Sequence, residues 1–177
     1  TVQGTSGTAQ TQFTTGTIAN DDLNVAATLT YTVTPTSADD CEGDPFTVTI
    51  TVNPEPQINN FTETICEGGL GFSDITPAND TDGVVPTGTT YSWEITSSNN
   101  ITGGSSGSGT TIPGSVLQNA SNSPQDLIYT VTPTSADNCE GEGFTVTITV
   151  NPTAQVVQPD NITLCHGDIT NIEFSTL

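Results

Sequence analysis

Residues 129–152 read YTVTPTSADNCEGEGFTVTITVNP, and residues 31–54 read YTVTPTSADDCEGDPFTVTITVNP. The two stretches differ at three of 24 positions: Asp40 against Asn138, Asp44 against Glu142, and Pro45 against Gly143. Their offset of 98 residues is too long for a solenoid unit and suits one small β-sandwich domain. In the later copy Phe144, Val146, Ile148 and Val150 alternate with Thr145, Thr147 and Thr149. A period of two gives one apolar face and one threonine face, the pattern of a half-buried strand. Phe46, Val48, Ile50 and Val52 repeat it, and Leu127, Tyr129, Val131 and Leu29, Tyr31, Val33 alternate likewise ahead of the loop. The connection TSADNCEGEG is rich in turn formers, so each copy reads as a long-looped hairpin, the last two strands of a sandwich.

Working outward, Asn53-Pro54 and Asn151-Pro152 close the last strand of each copy, since proline has no N–H for a central ladder. The expected organisation is therefore residues 1–52 as the later part of one domain, 53–151 as a complete domain, and 152–177 as the start of a third. The first residues match the middle of a repeat, and the expectation is a fragment of a longer chain. In the complete domain a first strand is expected over Phe61 to Cys66 and a second over Leu70 to Ile75. A third runs over Thr89 to Thr96, with Tyr91, Trp93 and Ile95 on one face, and a short strand lies within Thr111 to Gln118. Trp93, Tyr129 and Phe144 are the expected core. The run TGGSSGSGT, residues 102–110, has the composition of a linker. Its counterpart at residues 4–12 falls inside a domain, which argues against that reading.

The chain of 177 residues carries 20 acidic side chains and no lysine or arginine. Phosphate backbones need protein cations, so a nucleic-acid partner is excluded. No apolar run approaches the ~20 residues of a spanning helix, so direct membrane insertion is not expected. Acid repulsion must be screened by salt or relieved by bound cations. The plain reading is a solvated, non-sticky surface; the sharper one is divalent-cation binding.

A cysteine followed by glycine early in the domain (ICEGG, LCHGD), a YSW third strand, YTVTPTSA, a Cys-Glu-Gly loop and FTVTITVNP together resemble the PKD-like, immunoglobulin-fold repeats of very large secreted Bacteroidota surface proteins. Adhesins similar to those of gliding motility are among them. The resemblance covers essentially the whole chain. It implies an all-β fold of tandem immunoglobulin-like sandwiches, export by a type IX route, and a stalk or adhesive fibre at the cell surface. Fold alone names no function.

Oxygen-rich loops are the candidate metal sites. Asp39, Asp40, Glu42 and Asp44, their copy Asp137, Asn138, Glu140 and Glu142, and the pair Asp80 and Asp82 are weighed as calcium ligands, although their spacing is not that of an EF-hand loop. A solvated turn is the competing reading, and no other cofactor is expected. His166 stands where the previous copy has Glu67, with no second histidine and no adjacent nucleophile, so no catalytic dyad is expected. Five N-x-S/T matches, at Asn60, Asn79, Asn100, Asn119 and Asn161, are of the kind chance supplies in a chain this rich in Asn, Ser and Thr.

Four cysteines at equivalent repeat positions, with no CxxC pair, point to disulfides and an oxidising compartment rather than to zinc. One pairing joins Cys66 to Cys139 within the complete domain and leaves Cys41 and Cys165 for partners outside the chain. The other joins Cys41 to Cys66 and Cys139 to Cys165 across domain boundaries. Closing a loop of about 74 residues stabilises by roughly 4.5 kcal/mol against roughly 3.5 for about 26 residues, which favours the first pairing. It is also favoured if Cys66 sits where the first strand enters, beside the final hairpin loop.

The sequence reading is a non-enzymatic, extracellular, structural or adhesive repeat array. Its partners are neighbouring repeats of the same chain and, in a fibre, identical chains. Two alternatives stay open: a filament subunit completed by strand exchange between chains, and a sugar-binding accessory module of a secreted enzyme.

Overall fold

The computed structural model describes residues 16–175. The described residues contain no helix, and so none long and apolar enough to cross a membrane. Strand β1 (Ala27–Val33) and β2 (Phe46–Val52) form one hairpin. The complete repeat follows as β3 (Gln57–Ile58), β4 (Phe61–Cys66), β5 (Gly83–Val84), β6 (Thr90–Ser97), β7 (Ile101–Thr102), β8 (Gly107–Gly109), β9 (Gln118–Asn119), β10 (Gln125–Thr134) and β11 (Phe144–Asn151). Five of these make one sheet in the order β4-β11-β10-β6-β8, in which β4 runs parallel to β11 and the other pairs are antiparallel.

The period-two pattern decides which face is buried. Leu127, Tyr129 and Val131 of β10 and Phe144, Val146, Ile148 and Val150 of β11 are all at most 2% exposed, while the intervening residues keep contact with water. The opposing layer is made of short pieces: β3 with β5, β7 with β9, and a single bridge between Ile75 and Ile112. From it Phe72, Ile101, Ile112 and Leu117 enter the same core as Trp93 and Tyr129. Phe144 stacks tilted on Phe61 at 5.9 Å and meets Tyr91 edge-on at 6.3 Å, offset geometries that suit the ring quadrupoles. Every buried hydrophobic side chain of this core lies between Phe72 and Val150, so the repeat closes its core from its own sequence.

Two expected strands are corrected. Leu70 to Ile75 is not a strand. Gly68 and Gly71 take left-handed φ of 63° and 81°, and a Cβ on Gly71 would lie 2.2 Å from the Ser115 carbonyl oxygen. The backbone turns instead of extending; Leu70 is fully exposed and Phe72 is buried. Thr111 to Gln118 likewise supplies only the Ile112 bridge and the first residue of β9.

The glycine-rich run is part of the sandwich. A Cβ on Gly107 would stand 2.9 Å from Trp93 Cζ2, and one on Gly104 would stand 2.8 Å from the Tyr129 hydroxyl. The backbone packs directly against the Trp93 ring and the Tyr129 hydroxyl, and Trp93 Nε1 donates to the Ser105 carbonyl at 3.1 Å. Glycine is required there because the aromatic rings take the volume a side chain would need. The counterpart at residues 4–12 lies outside the described residues.

The first hairpin carries nearly the same sequence as β10–β11. Its register reproduces that of β10–β11, yet Phe46 is 52% exposed where its equivalent Phe144 is 2% exposed.

Candidate functional site

The acidic hairpin loop is built the same way twice. The Ser37 N–H donates to the Cys41 carbonyl at 2.9 Å and the Ser135 N–H to the Cys139 carbonyl at 2.9 Å. The serine hydroxyls accept from the Cys41 and Cys139 N–H groups at 3.1 and 3.2 Å. Asp40 and Asn138 take φ of 60° and 61°. The left-handed region favours Asp and Asn among residues with a side chain, which explains why this position exchanges between those two. The loop's shape is thus local and survives the difference in burial between the hairpins.

Its carboxylates point outward. Asp39, Asp40, Glu42, Asp44, Asp137, Glu140 and Glu142 are exposed, and no group of three or more carboxylate, thiol or imidazole side chains converges among the described residues. The structure does not gather the acidic loops into a cation ligand set. The loop with Asp80 and Asp82 has a different task. The Asp82 carboxylate accepts the Ala78 N–H at 2.8 Å, Asn79 Oδ1 accepts the Val85 N–H at 2.8 Å, and the Asp80 N–H donates to the Gly83 carbonyl at 2.8 Å. These contacts close the turn that leads into β5. Burial, with the Asp82 charge second, raises the Tyr91 phenol above its ordinary pKa. Burial also raises that of Tyr129, against a smaller opposing effect of its hydrogen bond to the Ser105 backbone.

Three open surface grooves each hold one carboxylate. Glu142 lies beside Gln57 and Val84, Asp74 beside Phe72 and Gly114, and Glu94 beside Trp93 and Ser106. In none does the carboxylate have a histidine, thiol or second carboxylate in the lining. Asp74 Oδ1 already accepts the Gly114 N–H at 2.7 Å. His166 is exposed, in a turn where Asp168 Oδ2 accepts the Cys165 N–H at 2.9 Å.

The cysteines fall at two opposite ends of the repeat. In the parallel register of β4 on β11, Phe61 pairs with Val146 and Cys66 with Asn151. Cys139 precedes the other end of β11, in the loop before Phe144. Seven residues of strand at ~3.3 Å each separate the two levels by about 23 Å, whereas a disulfide needs Cα atoms within about 7 Å. The register does not fit the expected Cys66–Cys139 pairing, because it holds the two residues at opposite ends of a rigid strand. Cys66 lies at the far end of the first strand, not at its entry.

One of the N-x-S/T asparagines has a structural role. Asn119 is 3% exposed, and its Nδ2 donates to the Val150 and Ser123 carbonyls at 2.8 Å each. Its Oδ1 accepts from the Ser121 N–H and hydroxyl at 2.9 and 2.8 Å. The amide is fully engaged and enclosed, which leaves no room for a glycan. Asn20 makes the same tie to Val25 and Val52 in the first hairpin. The shared tie was hidden because Asn20 and Asn119 are 99 residues apart, one more than the hairpin offset of 98.

A protein-family model described as PKD-like domain matches residues 1–56 and 63–154. Among curated proteins, no sequence matches the chain.

Proposed function

Because the chain belongs to the PKD-like domain family, we propose that it is a non-enzymatic, extracellular structural or adhesive array whose repeats serve as spacers in a cell-surface stalk or fibre. The observation that carries this reading is the near-identity of the two hairpins down to their loop hydrogen bonds. Selection for a catalytic centre would differentiate one loop from the other; a spacer only has to repeat. The strand body and its loops give each repeat roughly 35–45 Å of length. An all-acidic surface keeps neighbouring fibres apart by like-charge repulsion, within a Debye length of about 8 Å at physiological salt. Solution scattering tests the spacer reading. Each appended complete repeat adds roughly 35–45 Å to the maximum dimension; repeats that fold back and leave that dimension unchanged rule it out.

A further inference from the structure

We propose that the cysteines form a disulfide across each junction between repeats, joining the thiol at the exit end of one repeat, the position of Cys66, to the hairpin-loop thiol of the following repeat, the position of Cys139. This rests on the tandem-spacer reading and adds a covalent device to it.

The two ends are defined by contacts. At the exit, Cys66 is in register with Asn151, the last residue of β11, and the Glu67 N–H donates to the Asn151 carbonyl at 2.8 Å. Glu67 Oε2 then accepts the Thr153 N–H and hydroxyl at 3.2 Å each, so the departing chain is tied to the segment that carries the thiol. At the entry, Pro56 is buried against the hairpin loop. A Cβ on Gly141 would lie 2.1 Å from the Pro56 carbonyl oxygen, and Gly141 is two residues from Cys139. The loop thiol therefore sits beside the incoming chain.

The sequence makes these two ends neighbours. Residues 151–154, NPTA, are the counterpart of residues 53–56, NPEP, so Ala154 stands where Pro56 stands in the repeat before. From Asn151 to Ala154 the chain reaches at most about 10 Å. Cys66 is one strand spacing, about 4.8 Å, from Asn151. The next loop thiol lies two residues from the glycine that touches the Ala154 position. These are upper limits on the separation; Thr153 is tied to Glu67, and a bend at the residues that follow brings the two thiols within the ~7 Å a disulfide requires. The within-repeat pair faces about 23 Å of rigid strand. Pairing Cys41 with Cys66 fares no better, because it joins the entry end of one repeat to the exit end of the next.

The bond forms by thiol–disulfide exchange with a small-molecule or protein disulfide as oxidant. One thiolate attacks the oxidant's S–S bond, the second attacks the mixed disulfide, and the two electrons and two protons leave as the reduced dithiol. With oxidised glutathione the balance is one junction S–S bond formed and two glutathione thiols released.

Two chains test this in a glutathione redox buffer. The first is the 177-residue chain with Cys41→Ser and Cys165→Ser, which retains only Cys66 and Cys139. The second is residues 1–151 continued by a second copy of residues 54–151, a unit that closes its own core. It carries Cys41→Ser, Cys139→Ser in its first complete repeat and Cys66→Ser in its second. Folding is verified in both by the emission of buried Trp93. The expected result is that both thiols of the first chain remain open to alkylation. The second chain loses about 2 Da without dimerising and yields a Cys66-to-Cys139 linked peptide after cleavage at glutamate. An intramolecular Cys66–Cys139 bond in the first chain overturns the proposal. So do free thiols in the folded second chain, and that outcome leaves the spacer reading intact.

Discussion

Phe46 and Phe144 occupy the same place in two nearly identical hairpins, and replacing each with alanine separates context from sequence. Phe144 is 2% exposed, tilted on Phe61 at 5.9 Å and edge-on to Tyr91 at 6.3 Å. Truncating a phenylalanine in such a core costs about 3–5 kcal/mol, because lost transfer energy and an uncollapsed cavity add. Phe46 is 52% exposed. Full burial of such a side chain is worth about 1.5–3 kcal/mol, so half of that, at most about 1.5 kcal/mol, bounds its loss. Trp93 is the chain's one tryptophan and sits in the complete repeat, so urea unfolding followed by its fluorescence reports that repeat alone. With a slope near 1.5 kcal/mol/M, Phe144→Ala moves the midpoint down by about 2–3 M. Phe46→Ala leaves the Trp93 transition in place, because its contacts belong to the other hairpin. Equal shifts for the two variants would refute the reasoning, since they would mean that the repeats do not close their cores separately.

Gly107→Ala drives a methyl into the Trp93 ring, which its hydrogen bond to Ser105 holds, and should destabilise by about 1–3 kcal/mol in the same fluorescence assay. Asn119→Ala leaves the Val150 and Ser123 carbonyls without their side-chain donor and should cost about 1–3 kcal/mol in urea unfolding. Because the Tyr91 and Tyr129 phenols are raised in the fold, the neutral rings are the stable folded form. Their contribution is complete below the ordinary phenol pKa of about 10 and is lost as pH climbs through the raised folded values, so a pH series of melting curves should fall off above about 10. With 20 acidic groups and no lysine or arginine, the melting temperature should rise with sodium chloride, and calcium chloride at matched ionic strength should add nothing; a calcium-specific rise would place a cation among the acidic loops.

The parts of the fold that were legible in sequence are those where a simple period meets a simple surface. Alternation along β10 and β11 states which side chains go inward, and the YSW triplet does the same for β6, so the sheet's central strands could be read directly. The opposing layer could not. Its pieces are two or three residues long, and Gly68 and Gly71 turn the chain where Leu70, Phe72 and Ile75 suggest extension. The Cys66–Cys139 expectation failed for a geometric reason. The sequence shows that Cys66 ends the first strand, but the outcome depends on β4 running parallel to β11, which carries Cys66 to the exit end. Composition alone suggests a linker at Gly104 and Gly107, but the repeat period places the run inside the domain, where both are close-packing positions against Tyr129 and Trp93.

Pulling the chain from its two ends in reducing buffer measures whether it is an array of separately folded mechanical units. A repeat of 98 residues spans about 350 Å when drawn out at ~3.6 Å per residue and about 40 Å when folded. The complete repeat should therefore give one sharp unfolding event that lengthens the chain by about 310 Å. Smooth extension with no such event, or a first event that releases the whole chain at once, would contradict the account.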